Sequence, residues 1–370
     1  RLSLHYQQQN STGNIELDAD LRQRDGEHVN ANIVQGKTSA KSTQVAPWYI
    51  DAKWQNLIRR DVPNIGNIDS PRGQADVIIR GSRLSVDANA VINELNAAPK
   101  GNYDVRVRKA GDVIDINRLN YKGVVGDLSG TGQIQLANKK RPLTWQIDAR
   151  TNGLLPKQYR SDLPLERLTG SVSARGRLLT ITKGGVSGQR HIINLNNTDL
   201  QAQLDATQEG RNIGITGAGD AKVDIVGGEL SMFDARFNGQ VDTADIPKGR
   251  LSIDAAGTPK FISIRKLNYN GEAGAVNAKG VIDLRKNIGW TIDGRFDKFN
   301  LGYFLPNNPA IITGDLKTSG EWQTAPKNSK NTAGKLQRFA VNFDGVLDAE
   351  QLPAGKLTID ASGDDQLIRI

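Results

Sequence analysis

Any chemistry in this 370-residue chain would have to come from a short roster of side chains. There are three histidines, His5, His28 and His191, the residue type best suited to moving protons or holding a metal near neutral pH. They stand far apart in sequence, without metal-ligand spacing and without a nucleophile motif beside them, so each reads as a surface or turn residue. Cysteine is absent, which excludes a disulfide framework and a thiolate metal site. Gly184-Gly185 and Gly217-Ala218-Gly219 have the smallness a phosphate cradle needs, but no Lys-Ser/Thr signature follows them, and they read as turns. Asp51, Asp148 and Asp293 each follow an isoleucine in a Trp-x-Ile-Asp motif. Strand alternation sends them to the face opposite Trp and Ile, toward solvent. Asp364-Asp365 is a turn pair. The residues point to no catalytic group, no metal and no cofactor, and the expectation is a protein that is not an enzyme.

The elements that carry these residues are built by repetition. The motif occurs at Trp48-Tyr49-Ile50-Asp51, Trp145-Gln146-Ile147-Asp148 and Trp290-Thr291-Ile292-Asp293. After the second and third copies comes a connector with Leu-Pro (Leu155-Pro156, Leu305-Pro306) and then a glycine-bounded strand, Gly170 to Gly176 and Gly314 to Gly320. A longer register aligns residues 99–136 with 247–284 without a gap, at an offset of 148. Identities include Pro99/Pro247, Lys100/Lys248, Gly101/Gly249, Ile114/Ile262, Ile116/Ile264 and Leu119-Asn120-Tyr121 with Leu267-Asn268-Tyr269. The opening of that block returns at Leu352–Gly363, matching Ile246–Gly257. One such unit cannot bury its apolar face alone, so the fold question is how units stack. The expectation is a single elongated repeat β domain over 1–370, a fragment of a longer chain, with approximate blocks 1–98, 99–246 and 247–370.

Alternation with a period of two dominates the chain, as in Tyr103-Val105-Val107 and Leu251-Ile253-Ala255. Turn residues recur about every 8 to 12 positions, as an antiparallel meander requires. About 25 to 30 strands are expected, which at about 4.8 Å each would make a sheet roughly 120 to 140 Å long. So long a sheet with an apolar face is expected to fold over lengthwise, giving an all-β, antiparallel β-taco or groove with an apolar interior. Helical signals are confined to short stretches near Trp54–Arg59, Lys157–Arg160 and Asn300–Leu305, and weakly at Ala90–Leu95.

The formal charge is +8, with the basic residues scattered through strands, and aromatic content is 5%. Nothing interleaves aromatics with cations as a nucleic-acid platform would, so no nucleic-acid partner is expected. No apolar run approaches the roughly 20 residues needed to span a bilayer. The chain opens mid-pattern, which places any membrane anchor outside this piece.

The apolar face is the candidate site. Its lining is Trp48, Ile50, Val105, Val107, Ile114, Ile116, Ile134, Leu136, Trp145, Ile147 and Val172 in the first half. In the second half it is Leu251, Ile253, Ile262, Ile264, Val276, Ile282, Leu284, Trp290, Ile292, Leu316, Leu357 and Ile359. Two readings compete for it: an ordinary dry core, or a trough that holds acyl chains. Small and aliphatic residues in place of large aromatics suit an open lumen without requiring one.

The motifs resemble a known family. The Trp-x-Ile-Asp strand, the Leu-Pro connector, the G-x-V/L-x-x-x-G strand, the P-K-G-x-L-x-I-D-A-x-G run and K-L-N-Y-x-G look like the TamB branch of the AsmA-like proteins. The likeness runs from about Trp48 to Gly363. The resemblance implies an inner-membrane anchor, a β-taco crossing the periplasm of a diderm bacterium, and a groove that moves phospholipids toward the outer membrane. It also implies an Omp85-type outer-membrane barrel partner, through regions outside this fragment, and a part in barrel-protein assembly and autotransporter secretion. Three classes of function stand beside one another: lipid conduit, protein-assembly scaffold, and structural repeat passenger or adhesin. Recurrences 97, 106, 145 and 148 residues apart disfavour the regular coils of a solenoid passenger.

Overall fold

The computed structural model describes residues 2–9, 14–22, 26–36, 45–63, 66–95, 98–158, 165–183, 186–205, 212–242, 247–303, 309–323, 334–349 and 352–369. Contact density divides the chain into two compact units, Arg1–Leu163 with Arg167–Leu178, and Pro164–Glu166 with Leu179–Ile370.

The first unit contains β1 (Leu2–Gln9), β2 (Asn14–Arg22), β3 (His28–Gln35), β4 (Trp48–Val62), β5 (Gly66–Arg80), β6 (Arg83–Ile92) and β7 (Glu94–Leu95). It continues with β8 (Gly101–Ala110), β9 (Val113–Gly123), β10 (Gly126–Gln135) and β11 (Leu143–Leu154). Of the strand β12 (Leu165–Lys183), Arg167–Leu178 belong to this unit. The second unit holds β13 (Val186–Asp205), β14 (Asn212–Val226), β15 (Glu229–Asp242), β16 (Gly249–Thr258), β17 (Phe261–Gly271) and β18 (Gly274–Asp283). Beyond these come β19 (Ile288–Asn300), β20 (Ala310–Gln323), β21 (Lys335–Ala349), β22 (Leu352–Gly363) and β23 (Ile368–Arg369). Within each unit nearly every strand pairs antiparallel with its neighbours in sequence; short β7 is bypassed, and β6 pairs β8. The chain is all-β and antiparallel, as the alternation requires. The 23 strands among the described residues are fewer and longer than the spacing of turn residues suggests.

Period-two sequence becomes two-faced structure. Along β4, Trp48, Ile50, Ala52 and Trp54 are half-buried while Tyr49, Asp51, Lys53 and Gln55 between them are exposed. Register then aligns like with like. In the first unit one apolar rung runs Ile33, Ile50, Val77, Val86, Val107, Ile116, Gly132, Ile147 and Ala174, each opposite the next. In the second, Phe237, Ile253, Leu267, Ala278, Gly294, Leu316, Phe343 and Ile359 do the same. A slip of one residue would turn every one of them to the other face.

The 148-residue repeat is also a repeat of irregularities. The β8/β9 register shifts between Arg106 and Val107, and β16/β17 shifts between Asp254 and Ala255, the positions 148 further on. The shift in β11/β12 after Thr151 recurs in β19/β20 after Phe296. Bulges so placed are part of the unit's design, each bending the strand that carries the extra residue.

Two helical expectations meet single turns of 3-10 helix, Pro156–Gln158 and Leu301–Tyr303. The other two are strand. Trp54–Arg59 lies in β4, where Asn56 takes a φ of 49° while the register to β5 runs unshifted from Gln55/Arg72 to Leu57/Ser70. Trp54 and Leu57 are both half-buried on either side of the left-handed residue, which imitates the i, i+3 spacing of a helix. Ala90–Leu95 belongs to β6 and β7.

Candidate functional site

By register, the lining residues Trp48, Ile50, Val105, Val107, Ile114, Ile116, Ile134, Trp145, Ile147 and Val172 share one face of the first unit. Leu251, Ile253, Ile262, Ile264, Val276, Ile282, Trp290, Ile292, Leu316, Leu357 and Ile359 share one face of the second. Leu136 and Leu284 fall just past the ends of β10 and β18, where their amides bond the Asp112 and Lys260 carbonyls. None of these residues is buried. Most are half-buried, and Ile147 and Leu284 are 36% and 38% exposed. A dry core closes over its lining; this lining stays within reach of solvent.

The burial that does occur is confined to one side. Call the connector edge the side where β9 joins β10, β11 joins β12, β15 joins β16, β17 joins β18, β19 joins β20 and β21 joins β22. The buried aliphatic and aromatic residues lie toward it: Ile92, Tyr121 and Val125 in the first unit, and Ala202, Val241, Tyr269, Ala273, Phe299, Ile312 and Phe343 in the second. The exception is Ile192, on the opposite face beside the Arg190–Asp224 ion pair. The last six named for the second unit form one cluster, with Leu301 of the 3-10 turn packed against it. At the other, hairpin edge, Leu230, Ile288 and Trp322 on the apolar face are 38% to 40% exposed.

A recurring device seals the connector edge. Tyr121 lies over Gly101 and Gly123, and a Cβ on Gly123 would fall 2.2 Å from the Tyr121 hydroxyl. That hydroxyl donates to the Lys100 carbonyl at 2.9 Å. Tyr269 repeats this over Gly249 and Gly271, donating to the Pro247 carbonyl at 2.8 Å. Val125 and Ala273, at equivalent places, are 5% and 0% exposed beside them.

The tryptophans use the same contact further from that edge. Trp145 stands opposite Ile134 and over Gly176, and Trp290 opposite Ile282 and over Gly320. The paired motifs Trp-x-Ile-Asp and G-x-V/L-x-x-x-G are therefore two halves of one contact, a bare backbone beneath an indole. Trp48 departs from the expected equivalence. Its cross-strand partners are Gln35 and Ile79, and the tryptophan over glycine in β4 is Trp54, on Gly73.

The opposite face is polar and ionised. Asp51, Asp148 and Asp293 all lie on it, exposed. Asp148 is lowered by hydrogen bonds from Ser173 and Gln146, and the Arg285 guanidinium holds the Asp283 carboxyl down at about 2. Arg190 bonds both oxygens of Asp224 and lowers it. The histidines are dispersed: His5 is exposed in β1, His28 bonds Asp20 at 2.8 Å, and His191 is half-buried in β13, not at a turn. Among the described residues no three acidic or histidine side chains gather as metal ligands would. No helix among them is long and apolar enough to cross a membrane. Sequence reading missed both the tyrosine seal, though K-L-N-Y-x-G carried its signal, and a cavity of about 1140 Å³ in the first unit.

Comparison with known proteins locates this arrangement. The family model described as TamB, N-terminal domain, matches residues 101–330, more than half of the chain. The chain belongs to the TamB family. The TamB match takes in both strand sets of the 148-residue repeat, β8 to β10 and β16 to β18, and both Trp-over-glycine contacts at Trp145 and Trp290. A curated relative, the translocation and assembly module subunit TamB of Haemophilus influenzae, is 23% identical over 221 residues, 56% of this chain. The aligned part is 17% of that relative's length, so the chain corresponds to a small part of a TamB. No solved structure matches.

Proposed function

We propose that this chain is a segment of a TamB-like protein that shields phospholipid acyl chains on its apolar face as they pass between the inner and outer membranes. The observation that carries the reading is that none of the lining residues is buried: most are half-buried, and Ile147 and Leu284 are exposed. An aliphatic face that the protein leaves unsealed calls for an apolar occupant. Charge supports a phospholipid in particular: the hairpin-edge turns of the first unit carry Arg80, Arg83, Lys139, Lys140 and Arg141 against Asp112. Acyl chains would lie on the face and phosphate headgroups would meet these cations at its open edge. Among the described residues the carboxylates that shift, Asp20, Glu94, Asp112, Asp148, Asp224, Asp234, Asp283 and Asp364, all shift down. None of them is raised toward neutrality as a general acid would be, which supports a non-enzymatic role.

The same reading places the full-length protein in the periplasm of a diderm bacterium, anchored in the inner membrane and working in a translocation and assembly module. Its outer-membrane partner would be an Omp85-type barrel protein, and barrel-protein assembly a second output. The test is site-specific photo-crosslinking in the full-length protein. Probes at Ile253, Ile264, Ile282 and Ile292 capture phospholipid, while probes at Asp254, Asp283 and Asp293 do not, because adjacent side chains face opposite ways. Ile282→Arg places an unpaired charge in the path and stops transport with the fold intact. Equal capture from both faces, or none from either, removes the conduit and leaves the assembly scaffold.

A further inference from the structure

We propose a second binding site on the polar face of the first unit, a groove that takes an extended acidic glycan. The cavity of about 1140 Å³ crosses eight strands, from β3 to β6 and from β8 to β11. Its walls are two cross-strand rungs of outward side chains. One rung runs Asn30, Lys53, Gln74, Asn89, Asp104, Asn120 and on to Arg150. The other passes through Gln55, Arg72, Val91, Asn102, Lys122 and Asp127. The floor between them is the backbone at residues such as Trp54, Gly73 and Tyr121. Tyr121 is 3% exposed, its ring turned to the apolar side, so the cavity and the proposed lipid path lie on opposite faces. At about 4.8 Å per strand the groove is about 34 Å long.

The second unit repeats the feature independently. A cavity of about 330 Å³ is lined by Gln240, Lys248, Gly249, Arg250 and Asn270. Gln240, Arg250 and Asn270 are consecutive cross-strand partners, and the last two stand 148 residues beyond Asn102 and Lys122.

The walls define the ligand. Asn30, Gln55, Gln74, Asn89 and Asn102 offer amides that make no side-chain hydrogen bond among the described residues, each with donors and an acceptor to give. Lys53, Arg72, Lys122 and Arg150 outnumber Asp104 and Asp127; Asp104 pairs with Arg118, and the Lys53 ammonium lies 3.8 Å from exposed Asp51. A hydroxyl-rich chain bearing carboxylates matches both properties. An acidic polypeptide fits less well, because the floor's backbone groups are spent in the ladders, which prevents strand addition, and the walls offer one apolar side chain, Val91.

The experiment is calorimetric titration of the 370-residue chain with oligogalacturonate, with uncharged maltoheptaose and with polyglutamate of matched charge. Oligogalacturonate binds, and more weakly as salt rises. Arg72→Gln with Lys122→Gln weakens it about tenfold, Lys53→Gln on the other rung weakens it by a smaller factor, and Lys279→Gln elsewhere on the polar face leaves it unchanged. These exposed substitutions leave the thermal midpoint in place, which separates lost binding from lost fold. Equal binding of maltoheptaose or polyglutamate, an undiminished double variant, or no binding at all overturns the proposal.

Discussion

The two edges of the apolar face are made from the same alternating strands, yet one is sealed and the other is not. At the connector edge of the second unit, Val241, Tyr269, Ala273, Phe299, Ile312 and Phe343 are 0% to 9% exposed. At the hairpin edge of the same strands, Leu284, Ile288 and Trp322 stay 38% to 40% exposed. The difference lies in what the chain does between strands. Connector-edge joins place apolar residues against the sheet, Leu301 of the 3-10 turn and, in two-residue turns, Val125 and Ala273, and glycines make room for aromatic rings there. The hairpin-edge turns Gly227-Gly228 and Pro259-Lys260 are exposed and place no side chain there. Stability and access are therefore assigned to opposite edges.

The largest break in this comparison is truncation. Tyr269→Ala or Phe343→Ala is expected to cost about 3 to 5 kcal/mol in urea unfolding, whereas Leu284→Ala costs less than about 1 kcal/mol. Equal costs would mean the two edges are not distinct. A smaller effect comes from adding one methyl. Gly271→Ala puts a Cβ 2.3 Å from the Lys248 carbonyl oxygen and 2.6 Å from the Tyr269 hydroxyl. It should lose about 1 to 3 kcal/mol through overpacking. At the hairpin edge, Gly111→Ala meets nothing within 4 Å and bears only the strain of a φ of 59°, roughly 1 kcal/mol.

Acid sharpens the picture at a buried patch on the polar face. The Asp224 carboxyl is 5% exposed and lowered by Arg190, so its folded pKa lies below its unfolded value. Its contribution is present above the unfolded carboxylate pKa of about 3.9 and is lost as pH falls through the folded value. The urea midpoint of Asp224→Asn should accordingly change less than that of the parent between about pH 5 and pH 2. The smallest expected difference separates the tryptophans: Trp48→Ala should cost about 0.2 to 1 kcal/mol less than Trp145→Ala, because no glycine lies under its ring.

Much of the fold was legible because β structure with one apolar face writes its period directly into the sequence. The repeat at offset 148 further located equivalent strands, and Trp with Gly could be seen as a recurring pair. What the pair does could not be seen, since Trp145 and Gly176 meet only through the β11/β12 register. A backbone irregularity hid another fact: left-handed Asn56 interrupts the alternation, and Trp54–Arg59 looks helical as a result. Tyr121 stands in a repeated L-N-Y-x-G run that marks it locally, but the seat of its ring over Gly101 exists only through the β8/β9 register. The polar rungs were illegible for the same reason, because Lys53, Gln74, Asn89 and Asp104 become neighbours only when four strands are in register.

Pairing almost wholly between strands adjacent in sequence carries an energetic corollary. In the run from β14 to β22 no strand's ladder depends on a distant part of the chain. Interaction energy then accumulates like that of a one-dimensional lattice, with a term for each rung and a term for each interface. Cooperativity in such a lattice reaches only as far as the interface terms carry it. Removing hairpins from one end should subtract stability in steps instead of abolishing it, and an insertion between two rungs should disturb its immediate neighbours alone. A lineage could thus lengthen or shorten the run hairpin by hairpin to suit the distance it must cover, without re-solving the folding problem each time.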